Sequence, residues 1–412
     1  MQHLARLTLG IFALAVSAAA APVDLLDLQD GDIVPGKYIV TLKPAVDINL
    51  HLSWVRDVHQ RSISRRSTVG LEKTFGFEGF SAYAGEFDDD TVTKILADLD
   101  VLAVEPDKVA RLTSLVQQDN APWGLEGMSS RTPLTDGNTR GHTYSYDSTA
   151  GDGTFAYVLD SGVLTNNTEF QGRAIKGYNT WNDTESFDDW FGHGTHVAGT
   201  IASETYGVAK KATIVDVKVV RGPGYSTVAH VIDGINWAVN NITKTPGRAA
   251  KSVLNMSIAF TTSTALNDAV DAAYANGVLS VVGAGNDNKL ASTRSPASAK
   301  TAVTVGAVEF NRTRAYFSNF GPDVDIFAPG VDIASLWNEQ GAESVNSGTS
   351  MSSPHVAGLV CYLKGLESGA ALDKPADTVA RLKQVAIADV LTDVGEGSPN
   401  LLAFNGISAA TY

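Results

Sequence analysis

The 412-residue chain carries 31 lysines and arginines against 45 aspartates and glutamates, a formal charge of −14, and its pI is near 5.0. That balance excludes a nucleic-acid-binding surface or a face drawn to anionic membranes. A hydrophobic share of 44% with 38 glycines excludes disorder and suits an α/β protein with many turns, and the length asks for more than one segment.

Residues 1–21 read as an export signal. His3 and Arg6 form a weakly basic start, residues 7–16 an apolar run and residues 17–21 a small-residue end. The run is too short to span a membrane, and no later stretch reaches that length. Strands are predicted at 37–43, 71–77, 80–87 and 101–105, with helices at 50–66 and 89–99. This βαββαβ succession is the ferredoxin-like pattern of a small α+β domain. Beyond Trp123 the chain alternates between strands, at 155–159, 213–219, 252–256, 279–282 and 302–305, and helices. Val228, Val231, Ile232, Ile235, Val239 and Ile242 share one helical face. Such alternation predicts a mostly parallel sheet covered on both faces, with functional loops at the strand carboxyl ends. Cys361 is the only cysteine, so no internal disulfide can form, and on an apolar helix it reads as a small buried side chain.

Ser347-Gly348-Thr349-Ser350-Met351-Ser352-Ser353-Pro354-His355 precedes an apolar helical run. Pro354 is expected in the first helical turn, which places Ser350 where free N–H groups favour a developing oxyanion. Asp160 ends a predicted strand and His193 opens a helix with glycine on both sides. The order Asp160, His193, Ser350 is the subtilisin order of an Asp-His-Ser triad. Ser350 is then the nucleophile, His193 its base and Asp160 the group that orients the imidazole. His196, three residues on, has metal-like spacing but no His-Glu-x-x-His context, so a structural role is expected. Sequons stand at Asn166, Asn182, Asn241, Asn311 and Asn255. The last lies on a predicted inner strand and is discounted as a glycosylation site.

The stretches Val158-Leu159-Asp160-Ser161-Gly162-Val163, Gly192-His193-Gly194-Thr195-His196-Val197-Ala198-Gly199-Thr200 and Ala284-Gly285-Asn286, with the Ser350 stretch, occur in that order. With Phe317-Ser318-Asn319-Phe320-Gly321 and Gly397-Ser398-Pro399-Asn400-Leu401-Leu402, they resemble fungal subtilisin-like serine proteases of the proteinase K branch, the oryzin-like alkaline proteases. The resemblance implies a signal peptide at 1–21, a propeptide acting as inhibitor and chaperone at 22–113, and a catalytic domain at 114–412. Self-cleavage is expected within 110–120. Asn286 is implied as the oxyanion residue beside the Ser350 N–H. A substrate strand would lie between Gly222-Pro223-Gly224-Tyr225 and Ser257-Ile258-Ala259. Where relatives have Leu-Gly-Gly after Asn-Met-Ser, this chain has Ile258-Ala259-Phe260, which is expected to narrow the rim of the pocket. A structural calcium is implied at the Lys300 and Ala302 carbonyls and the Asp325 carboxylate, with Lys300 in place of the usual proline. The implied protein is a secreted, monomeric, self-processing serine endopeptidase of broad specificity acting on proteins and peptides. The alternative is a catalytically silent binding protein of the same fold.

Overall fold

The computed structural model describes residues 33–44, 46–62, 68–108, 115–182, 184–367 and 370–407. The expected export signal and the 113/114 boundary lie outside the described residues. The chain divides into two compact units, Met1–Ala110 and Arg111–Tyr412.

In the first unit, four strands pair antiparallel in the order Gly70–Phe77, Phe80–Glu86, Ile33–Leu42, Val101–Lys108. Two helices complete it. Ile48–Arg61 starts where Asp47 accepts the N–H groups of Asn49 and Leu50, satisfying donors that a helix start leaves free. Asp88 caps Asp89–Leu96 in the same way through Thr91 N–H. That helix stops short of the expected residue 99, because Asp98 bonds the N–H of Asp100 in a turn that competes with further helix. Val40, Leu52, Val55, Tyr83, Phe87, Val92 and Ile95 are buried together between sheet and helices.

The second unit is built on nine strands, Ile387–Ala388, Leu401–Leu402, Ile326–Pro329, Val303–Val308, Leu279–Gly283, Ser252–Met256, Phe155–Asp160, Thr213–Lys218 and Ala174–Asn179, in that order across the sheet. All neighbours are parallel except the first pair. Parallel strands buried on both faces read as continuous apolar runs, and Ser252–Met256 and Val303–Val308 are buried throughout. One face of the sheet packs with the helices His193–Ala202 and Thr349–Leu366, the other with Val228–Thr243 and Thr264–Ala275. The Val228–Thr243 helix buries Val231, Ile235 and Ile242 as its pattern predicts. It also buries Gly234 and Ala238, small residues that bring it close to the strands, since a Cβ on Gly234 would lie 2.4 Å from Val219. Cys361 is buried, and burial pushes its thiol up to about 12, so it is an inert core side chain.

The outer strand Ala174–Asn179 was not predicted. Gly177 within it reads as a turn signal, yet a Cβ there would stand 2.8 Å from both Asp216 O and Trp237. The glycine serves close approach to the neighbouring strand. A separate strand pair, Leu115–Ala121 with His142–Asp147, also escaped prediction. Among the described residues, no helix is long and apolar enough to cross a membrane.

Candidate active site

Asp160 is the last residue of a central strand and is 1% exposed. Its Oδ1 lies 2.7 Å from His193 Nδ1 and also accepts the Ser161 N–H. His193 is the first residue of its helix, and Gly192 before it has φ +92°, a conformation that favours glycine. Asp189 ties this turn together. Its Oδ1 accepts from Gly192 N–H and Ser161 Oγ, and its Oδ2 from the N–H and hydroxyl of Thr195. A Cβ on Gly194 would sit 2.1 Å from Gly162 O, so only glycine lets the helix approach the aspartate. Burial lowers the His193 pKa, but the Asp160 charge, the Asp160 hydrogen bond and the Asp189 charge together raise it above the ordinary 6.5.

Ser350 is the second residue of the helix Thr349–Leu366, so its N–H has no acceptor within the helix. Pro354 therefore falls in the second turn instead of the expected first. Lacking an N–H, it cannot bond the Ser350 carbonyl. That carbonyl accepts from Ser257 Oγ at 2.9 Å instead, and Ser257 Oγ is itself held by Asn255 and Ser353. In return, Ser350 Oγ donates to the Ser257 carbonyl at 3.2 Å.

Asn286 Oδ1 accepts both the N–H of Thr349 at 2.8 Å and its hydroxyl at 3.0 Å. The amide is thereby oriented with Nδ2 as its free end. A Cβ on Gly348 would be 3.3 Å from Asn286 Nδ2 and 3.6 Å from Ser350 N. Two N–H donors thus flank one small space, left open because residue 348 is glycine. Thr349, the pin of this arrangement, escaped sequence reasoning. Its position beside Ser350 was the available signal, but its partner is 63 residues away.

Asp160, His193, Ser257, Ile258 and Ala259 line a cleft of about 320 Å³ with Phe191, Tyr225 and Phe260. Gly224 is also on its wall, and Gly222 lies on the same segment. The N–H and carbonyl of Tyr225 are both taken by Arg221, so Tyr225 contributes its ring, 51% exposed, which the Arg221 guanidinium covers from 5.1 Å. Phe260 pairs with Ser295 and packs against the sheet's second core with Ile258, while Ala259 is exposed at the rim. His196 bonds the Ile333 carbonyl, and burial lowers its pKa to about 4, as suits a structural histidine. Lys218, fully buried, was also missed by sequence reasoning. Its ammonium donates to the carbonyls of Ser161 and Asp188, bracing the loop behind Asp160.

The residues implied for calcium do not fit an ion as arranged. Asp325 Oδ2 accepts the Thr304 N–H, and Oδ1 is paired with the Lys383 ammonium at 3.0 Å. A cation near Lys300 and Ala302 would have to displace that lysine. Of the sequons, Asn166, Asn182 and Asn311 are exposed. Asn241 is half-buried with its Oδ1 bonded to the Tyr157 hydroxyl at 2.6 Å, and Asn255 is fully buried.

The Asp160–His193 pair and a serine with two flanking N–H donors are the parts that acyl transfer uses. At the carboxyl edge of a parallel sheet, such parts are those of an α/β serine hydrolase. The chain belongs to the subtilase family, which it matches over residues 151–402, and residues 37–113 match peptidase inhibitor I9. It is 46% identical over 416 residues to alkaline protease 1 of Aspergillus flavus, covering 98% of this chain and 100% of that one. It is 47% identical over 406 residues to subtilisin-like proteinase Mp1 of Magnaporthiopsis poae, covering 96% and 97%. A crystal structure of a cold adapted subtilisin-like serine proteinase superposes with a TM-score of 0.62 at 38% identity, covering 70% of this chain and all of that one.

Proposed function

We infer that this secreted serine endopeptidase cleaves peptide bonds in proteins through Ser350, His193 and Asp160, with Asn286 and the Ser350 N–H receiving the oxyanion. The observation that carries the reading is the 2.7 Å Asp160–His193 bond in a cleft that Ser257 also lines, the Ser257 carbonyl in turn holding Ser350 Oγ. On attack, Ser350 Oγ leaves the Ser257 carbonyl and passes its proton to His193 Nε2. Asp160 stabilises the imidazolium, and the carbonyl oxygen of the substrate, now negative, lies between the two donors. His193 then gives the proton to the leaving amine. Water, activated by the same imidazole, releases the acyl group and restores Ser350.

The substrate strand is placed along Gly222, Gly224 and Tyr225 on one side and Ser257, Ile258 and Ala259 on the other. The first unit is the chain's own inhibitor, and its strand order and two helices support the ferredoxin-like reading. Self-cleavage is placed ahead of Leu115, because residues from there on pair with His142–Asp147. Glycans are placed on Asn166, Asn182 and Asn311. A fluorophosphonate probe tests the reading: it should label the natural enzyme at Ser350. The Ser350→Ala chain should resist the label and accumulate as unprocessed precursor. Normal processing of purified Ser350→Ala protein, with no other protease present, would overturn the assignment.

A further inference from the structure

The first unit holds a cluster that the proposed chemistry does not use. His51, on the inner side of the helix Ile48–Arg61, is 4% exposed. Its Nε2 is 3.2 Å from the Tyr83 hydroxyl. Its Nδ1 faces Asp98 Oδ1 at 3.8 Å, too far for a hydrogen bond. One ligand atom each from His51, Asp98 and Asp100 lies within 4.8 Å of the others.

Within the protein this imidazole makes one hydrogen bond, to Tyr83. If Nε2–H donates to Tyr83, the Nδ1 lone pair points at two carboxylates. If the Tyr83 hydroxyl donates, the Nδ1–H faces Asp98 Oδ1 from 3.8 Å, beyond hydrogen-bond distance. The nearby Lys43 ammonium is committed to the Leu99 carbonyl at 2.7 Å and neutralises neither carboxylate directly.

We propose that His51, Asp98 and Asp100 form a zinc site in the inhibitor unit, with water completing the coordination. One imidazole and two carboxylates suit zinc, a borderline ion, better than calcium or magnesium, which prefer oxygen alone. With Nε2–H donating to the Tyr83 hydroxyl as the outer partner, Nδ1 is free to bind. Closing the ligands onto an ion draws in the 98–100 turn, where Asp98 Oδ1 also accepts the Asp100 N–H and Asp100 is exposed. The helix and the turn are brought together only by folding, so zinc uptake stabilises the folded inhibitor.

The test uses the full chain carrying Ser350→Ala, which keeps its first unit attached, titrated with zinc chloride by calorimetry. It should bind one more zinc ion than the same chain with His51→Gln. Asp100→Asn, an exposed change that spares the core, should weaken that ion about tenfold or more. Zinc should raise the first unit's melting temperature in the parent and much less in Asp100→Asn. Equal zinc isotherms and equal melting shifts in parent and Asp100→Asn chains would overturn the site.

Discussion

Replacing Asn286 by alanine and by aspartate should separate two jobs of this residue that a single substitution would confuse. Alanine removes the Nδ2 donor and the acceptor that pins Thr349. Thr349 is 2% exposed, so a buried N–H and hydroxyl lose their partner, at about 1–3 kcal/mol for a group left unsatisfied. Each kcal/mol should lower the melting temperature by about 2–4 °C. The loss of one oxyanion donor should cut kcat by about 10²–10³-fold, a range carried over from subtilisin, a member of the same family. Aspartate keeps the acceptor for both Thr349 donors and should therefore melt near the natural enzyme. It instead sets a carboxylate beside the forming oxyanion. Two like charges about 3 Å apart at an effective dielectric constant near 20 repel by about 5–6 kcal/mol, and 1.36 kcal/mol is about tenfold in rate. After relief by solvent, at least a further tenfold loss of kcat below alanine is expected. Activity should thus rank natural, alanine, aspartate, whereas stability should rank natural, aspartate, alanine. Kinetics on a chromogenic peptide and calorimetric melting of the mature enzymes give both orders. Equal melting temperatures for the two variants, or an aspartate variant faster than alanine, would refute the pinned-amide account.

The remaining expectations concern titration and metal. His193 must be neutral to accept the Ser350 proton. Because its pKa is raised above 6.5 by the net effect of the two aspartates over burial, the rising limb of kcat/KM should have its midpoint above 6.5. A midpoint at or below that value would contradict the charge balance around the imidazole. Heat inactivation of the natural enzyme should proceed at nearly the same rate in calcium and in chelator, because Lys383 holds Asp325. Lys383→Ala should gain calcium protection, and strong protection of the unaltered enzyme would show that the metal displaces the lysine.

Much of the candidate site was legible because its parts sit in short, punctuated stretches. Asp160 ends an apolar run, Gly192 and Gly194 bracket His193, and glycine precedes Thr349 and Ser350. Each motif carries its own backbone requirement, so it shows in local sequence. The couplings between motifs were hidden. Thr349 meets Asn286, Ser257 meets Ser350, and Lys218 reaches Ser161 across 57 residues or more, and nothing local marks such pairs. Pro354 was misplaced by one turn because its missing N–H is tolerated wherever the carbonyl four residues earlier finds another donor. Here Ser257 supplies it. The resemblance implies calcium at the Lys300 and Ala302 carbonyls and Asp325, and nothing in that stretch marks Lys383, which reaches Asp325 from a distant helix.

That mutual bonding of Ser257 and Ser350 also gives the resting enzyme an interlock. The carbonyl on which Ser350 Oγ rests belongs to the edge assigned to the incoming peptide. On the proposed substrate path, a peptide N–H seated on that carbonyl would compete with Ser350 Oγ for it, coupling the seating of substrate to the release of the serine hydroxyl.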